Sequence, residues 1–160
     1  KVSIDDGTTA GELHDTLMTK GAHLVLKTIE TISFNYSGSK KQNDSLKLKL
    51  APKLNRENTK INWNKSAEEI RQLTLGLNPY PGAWTKLYYN NKLLNFKVFN
   101  AQLSNKKYPI KKLVITDDKL FVGTNGNALE LTEIQIEGKK RMKTNEFLKG
   151  YSSIVDYSIL

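Results

Sequence analysis

The stretch from Ile61 to Trp84, INWNKSAEEIRQLTLGLNPYPGAW, constrains this chain more than any other. Ser66-Ala-Glu-Glu69 is a capping box, in which the serine hydroxyl and the glutamate carboxylate each satisfy an amide that the first helical turn leaves open. It predicts a helix from about 67 to 75, with Ile70, Leu73 and Leu77 on its core face and Gly76 just past its end. Asn78-Pro79-Tyr80-Pro81-Gly82 then fixes φ twice and forbids helix, presenting Tyr80 and Trp84 on a stiff turn.

From Ala83 onward the pattern is β. WTKLYY, a turn at Asn90-Asn91, and LLNFKVFNAQL read as a hairpin. Short strands are predicted near 110–116, 119–124 and 128–136, with turns at Asp117-Asp118 and Asn125-Gly126. Five or six strands in so short a span suit a small closed barrel. A last helix, about 144–151, begins at Thr144 and packs Phe147 and Leu148 onto it. The fold class is therefore α+β, mainly β: an OB-like antiparallel β-barrel with flanking helices.

Ahead of the barrel, Thr9-Ala-Gly-Glu12 is a second capping box. Behind it Leu13, Leu17, Leu24, Val25, Ile29 and Ile32 form an apolar face at helical spacing, predicting a helix from about 10 to 32. That helix is too apolar to stand in water unpacked. Residues absent from this sequence, the C-terminal part or a second copy of the chain must cover it. Residues 33–45, SFNYSGSKKQNDS, read as a linker, and LKLKLAPKL (Leu46–Leu54) as an extended connector with its lysines outward, halted by Pro52. The expected organisation is residues 1–32, a basic linker 33–59, and a second domain 60–160. The opening KVSIDDGTTAG has the character of the interior of a longer protein.

The net charge of +9 is concentrated. Residues 46–112 hold fourteen Lys or Arg against Glu57, Glu68 and Glu69, whereas the segments on either side are each net −1. Codon bias in an AT-rich genome accounts for abundant lysine, but less well for this localisation, which is the footprint of a polyanion-binding surface. Lys47, Lys49, Lys53, Arg56 and Lys60 flank the extended linker, where they can follow phosphates. Lys86, Lys97, Lys106, Lys107, Lys111 and Lys112 add charge to one part of the barrel. Lys139, Lys140 and Arg141 follow Gly138 at a strand-to-helix turn, where amides and cations can meet one phosphate cluster. Trp63, Tyr80 and Trp84 could stack on unpaired bases, although aromatics beside a proline turn more often belong to a core.

No apolar run approaches the ~20 residues of a membrane span, and the absence of cysteine excludes disulfides and thiol chemistry. No Gly-rich phosphate loop, Ser/His/Asp set or metal-ligand spacing is present. His14 and His23 lie in the first helix and read as structural or unassigned. Asp5 and Asp6 read as a solvated loop rather than an acid/base pair.

Three motifs carry a family resemblance: Thr9–Leu17 (TAGELHDTL), Gly76–Thr85 (GLNPYPGAWT) and Gly138–Met142 (GKKRM). With Ala51–Leu54 (APKL) and Ile61-Asn62-Trp63, they resemble, in this order, the methionyl-tRNA formyltransferases. Two departures from that family's usual phrases are Leu50, where an aromatic is common before APKL, and Asn62, where an aspartate is usual. The resemblance implies that residues 1–32 end a Rossmann-like catalytic domain and that 60–160 form a C-terminal tRNA-binding domain. It implies transfer of a formyl group from 10-formyltetrahydrofolate to the amino group of initiator methionyl-tRNA, in translation initiation in the cytoplasm. The family's catalytic Asn, His and Asp would lie upstream, so this chain would hold no catalytic, cofactor or metal site. Its site residues would be tRNA-binding: Lys49, Lys53, Arg56, Lys60, Lys86, Lys97, Lys139, Lys140 and Arg141. Its partners would be that tRNA and the missing catalytic domain, with no membrane. Two alternatives remain at this point: a related folate-dependent formyltransferase, and a non-enzymatic OB-fold binder of single strands using Tyr88, Tyr89, Phe96 and Phe99.

Overall fold

Both capping boxes form. Glu12 N donates to Thr9 Oγ1 (3.2 Å) and Thr9 N to Glu12 Oε2 (2.8 Å), opening helix α1, Ala10–Ser33. Ser66 and Glu69 repeat the exchange (3.3 and 3.1 Å) at the start of α2, Ala67–Gly76. The computed structural model describes residues 1–34, 38, 40, 41, 43 and 50–160. Most of LKLKL, with Lys47 and Lys49, lies outside the described residues.

α1 buries no side chain along its whole length, and Leu17, Leu24, Val25, Ile29 and Ile32 stand exposed. Its first turn is nevertheless held. Gly11 N donates to Asn78 O (3.0 Å), and a Cβ on Gly11 would lie 2.5 Å from Pro79 Cδ, so only glycine allows this approach. Arg71 of α2 grips the Asp6 carboxylate through both terminal nitrogens (3.0 and 2.8 Å). Asp6 is thus an ion-pair partner as well as part of an exposed loop. Gly76 also departs from expectation. It is the last residue inside α2, and Leu77 takes the cap with φ −106°, its amide on Leu73 O (3.1 Å). Burial of Leu77 in the core draws the helix one residue further than the glycine signal suggested.

The sheet is built from β1 (Ala83–Tyr89), β2 (Lys92–Leu103), β3 (Leu113–Thr116), β4 (Lys119–Val122), β5 (Leu129–Ile136), β6 (Met142–Lys143) and β7 (Ser158–Ile159). Its order is β3-β4-β5-β2-β1-β7, with β6 beside β5, every pairing is antiparallel, and it curls into a nearly closed barrel. Asn90 and Asn91 (φ 46° and 61°) close the β1–β2 hairpin; Asp117 and Asp118 (55° and 56°) close β3–β4. Both dipeptides take the left-handed conformations that match the twist of a tight hairpin.

Alternation along β1 sends Ala83, Thr85 and Leu87 inward and Trp84, Lys86 and Tyr88 outward. A bulge in β2 between Val98 and Ala101 breaks that rhythm, leaving both Val98 and Phe99 buried. The core gathers Ile61, Trp63, Ile70, Leu87, Phe96, Val98, Leu120, Leu131, Ile134 and Phe147. Trp63 is 1% exposed and donates its indole N–H to Thr85 Oγ1 (3.2 Å).

The last helix, α3 (Thr144–Leu148), starts where expected but ends early. A 3-10 turn at Ser152–Asp156 buries Ile154 against β3, and β7 pairs Ile159 with Leu87. Strands of two residues carry no period, so β6 and β7 exceeded the expected count of five or six.

Candidate nucleic-acid interface

The outward positions of β1, β2 and β5 bring the basic residues of the middle block together. Trp84 pairs in register with Lys97, Lys86 with Asn95, and Lys97 with Gln135. Onto this row the end of the linker is laced by backbone bonds. Trp84 N donates to Thr59 O (3.2 Å) and Ile61 N to Trp84 O (2.8 Å). The Trp84 indole N–H donates to Arg56 O (2.9 Å), and the Arg56 guanidinium lies over the ring at 4.4 Å. Lys60 Nζ stands 5.8 Å from the same ring. Arg56 also donates to Asn95 Oδ1 (3.1 Å), and Lys97 Nζ to Pro81 O (2.9 Å).

The GKKR turn joins the same face. Gln135 Nε2 donates to Lys139 O (2.9 Å), tying the turn to the Lys97 row. The turn sits within a β5–β6 hairpin rather than directly before a helix, with Gly138 at φ 79°. Lys139 and Lys140 are exposed. Arg141 is committed elsewhere: it binds Glu133 Oε2 (2.6 Å) and covers the Phe99 ring at 4.2 Å. Glu137 also enters this face, accepting from both nitrogens of Asn95 (2.7 and 2.8 Å).

Of the expected site residues, Arg56, Lys60, Lys86, Lys97, Lys139, Lys140 and Arg141 therefore share one region. Lys53 is exposed on the segment leading to it, its carbonyl accepting from Asn58 Nδ2 (2.9 Å), and Lys49 lies outside the described residues. Lys106, Lys107, Lys111 and Lys112 stand apart from it on the β2–β3 connection, where Lys106 pairs with Asp117 (3.1 Å) and lies over Phe121 (4.5 Å). Asn95 and Gln135 had not been singled out. Strand period alone would have found Asn95, two residues before Lys97 and so on its face.

The aromatic residues divide. Trp63 is core, Trp84 is half-buried beneath Arg56, and Tyr80 is 84% exposed. Beside Tyr80 a cleft of about 480 Å³ runs between the proline turn and residues 54–59, lined by Arg56, Trp84, Asn95 and Lys97. Gly82 (φ 83°) shapes its floor; a Cβ there would sit 2.9 Å from Phe99 Cε1. Phe96 and Phe99 are buried, Tyr89 stacks on Tyr157 at 4.6 Å, and Tyr88 bonds Asn91 through its hydroxyl (2.7 Å). Phe96 and Phe99 are therefore removed from any strand-face platform of a general single-strand binder, while Tyr88 stays exposed.

His14 lies 3.1 Å from Asp15 on an exposed face and His23 2.9 Å from Thr19 O, one turn back. The Arg71 hydrogen bonds hold the Asp6 carboxyl below its ordinary value and in return raise that of Arg71. The described residues include no group of three metal-ligating side chains, and no helix long and apolar enough to cross a membrane.

Residues 53–152, well over half the chain, match the model for the formyl transferase C-terminal domain. The chain belongs to that family. The chain is 36% identical over 152 residues to the methionyl-tRNA formyltransferase of Flavobacterium johnsoniae, covering 94% of this chain and 48% of that protein. It is 38% identical over 163 residues to the enzyme of the same name from Azobacteroides pseudotrichonymphae, covering 93% and 49%. The chain thus spans about half the length of the curated relatives it matches, their C-terminal half. A variant of HypX from Aquifex aeolicus superposes with a TM-score of 0.65 at 18% identity over 95% of this chain and 28% of its own. That likeness carries the fold alone: an antiparallel barrel with flanking helices.

Proposed function

We propose that this chain is the C-terminal, tRNA-binding half of a methionyl-tRNA formyltransferase. The observation that carries the reading is that basic residues scattered from Arg56 to Arg141 in sequence meet on one face of a barrel whose relatives bear that name. On this reading the complete enzyme moves a formyl group from 10-formyltetrahydrofolate to the amino group of initiator methionyl-tRNA, in the cytoplasm. The barrel supplies no reacting group. It grips the tRNA through phosphates and aims the aminoacyl end at a catalytic half that packs on the apolar face of α1. A second copy of the chain is the other candidate for that face, and sedimentation of the chain alone separates the two: a monomer supports the first.

The chain incubated with 10-formyltetrahydrofolate and charged initiator tRNA is expected to bind the tRNA and to form no formylmethionyl-tRNA above background. Turnover proportional to this chain would overturn the reading. Phosphate contacts release counterions, so the logarithm of affinity should fall with the logarithm of salt, by about 0.9 per phosphate on a duplex.

A further inference from the structure

Tyr80 is exposed to a degree that folding does not explain. It is flanked by Pro79 and Pro81, its ring covers none of the core, and among the described residues its hydroxyl meets no partner. A large aromatic held out on a stiff turn has lost little freedom to lose again on binding. The cleft it borders, about 480 Å³, falls within the range that holds small ligands. Cations complete the wall. Arg56 is already flattened over Trp84 and, among the described residues, uses one of its donors, on Asn95; Lys97 Nζ spends one of three on Pro81 O.

We propose that this cleft is a stacking site for one unpaired nucleotide of the bound RNA, its base against Tyr80 and the Arg56 guanidinium, its phosphate on Arg56 and Lys97. The proposal rests on the tRNA-binding reading and adds to it a preference for unpaired over paired RNA at this point. Bases stack on phenol and guanidinium planes through their π-faces, which all four possess. Asn95, one of the amides lining the cleft, is occupied on both sides by Arg56 and Glu137. Stacking at this site therefore does not draw on Asn95 to select a base.

The test compares two RNA hairpins with equal phosphate counts. One ends in a single-stranded 3′ tail carrying 2-aminopurine, and in the other the same nucleotides are paired. The chain should bind the tailed RNA more tightly and quench its fluorescence. Tyr80→Ala, at an exposed position checked by circular dichroism, should lose about tenfold in affinity for the tailed RNA alone, and Tyr80→Phe should retain it. Lys139→Ala with Lys140→Ala should weaken both RNAs together. Equal binding of both RNAs by wild type and Tyr80→Ala overturns the stacking site while leaving tRNA binding in place. If neither RNA binds with a salt-dependent affinity, the tRNA-binding reading fails and the stacking site with it. Displacement of the tailed RNA by micromolar adenosine monophosphate would make this a free-nucleotide site, against the proposal.

Discussion

Arg71 and Asp6 stand 65 positions apart, yet their fork fixes where α1 leaves the second half of the chain. Because the arginine holds the Asp6 carboxyl below its ordinary 3.8, the folded state favours the ionised form. The tie therefore contributes above about pH 4 and is lost as pH falls through the lowered value. Protection of the Gly11 amide against hydrogen exchange should drop in that acid window, and Asp6→Asn should reduce the step, the remainder resting on Glu12, whose carboxyl the Thr9 hydrogen bonds also hold below its ordinary value; an unchanged acid profile in that variant would exclude the ion pair as a cause. Neither partner was legible as such, since no local pattern reports a contact across so long a separation. Trp63 is the contrasting case. Its burial, and the hydrogen bond to Thr85, make Trp63→Ala costly by about 3–5 kcal/mol in chemical denaturation, against less than half of that for an exposed aromatic such as Tyr80.

At the level of elements, local signals fared best where they are local in origin. Both capping boxes formed because Thr9 with Glu12, and Ser66 with Glu69, satisfy amides within one turn. Ser66→Ala should lower stability by about 1 kcal/mol without altering the fold, measured by urea unfolding and circular dichroism. The two-residue hairpin turns were equally readable, because asparagine and aspartate tolerate positive φ. The GKKR turn was read correctly as basic but not in how its cations divide. Lys139 and Lys140 are exposed and should carry phosphate contacts, so Lys139→Ala with Lys140→Ala should flatten the salt dependence of tRNA binding by up to about two contacts. Arg141→Ala should act differently, lowering thermal stability by uncovering Phe99 and orphaning Glu133, with a smaller change in salt slope.

Across the whole molecule, the charge block at 46–112 indicated a polyanion surface, and a control distinguishes placement from bulk charge. Neutralising two of Lys20, Lys27 and Lys40, which lie in a segment that is net −1, should leave tRNA affinity nearly unchanged; a loss equal to that of Lys139 with Lys140 would show that net charge alone drives binding. By itself the sequence determined the two capped helices, the β1–β2 and β3–β4 hairpins and the barrel class, because caps, turns and alternation act within a few residues. It also located the excess charge, since charge is additive along a chain. Only the tertiary structure decided which cations share a face. Pairing of β1 with β2 and of β2 with β5 sets Lys97 beside Trp84 and brings the turn at 139 to it, while the same fold carries Lys106 to Lys112 away. It also decided the fates of three similar aromatics, burying Trp63, capping Trp84 with Arg56 and leaving Tyr80 in solvent. Burial depends on what the rest of the chain brings alongside, and that is settled by packing over long separations rather than by neighbours in sequence.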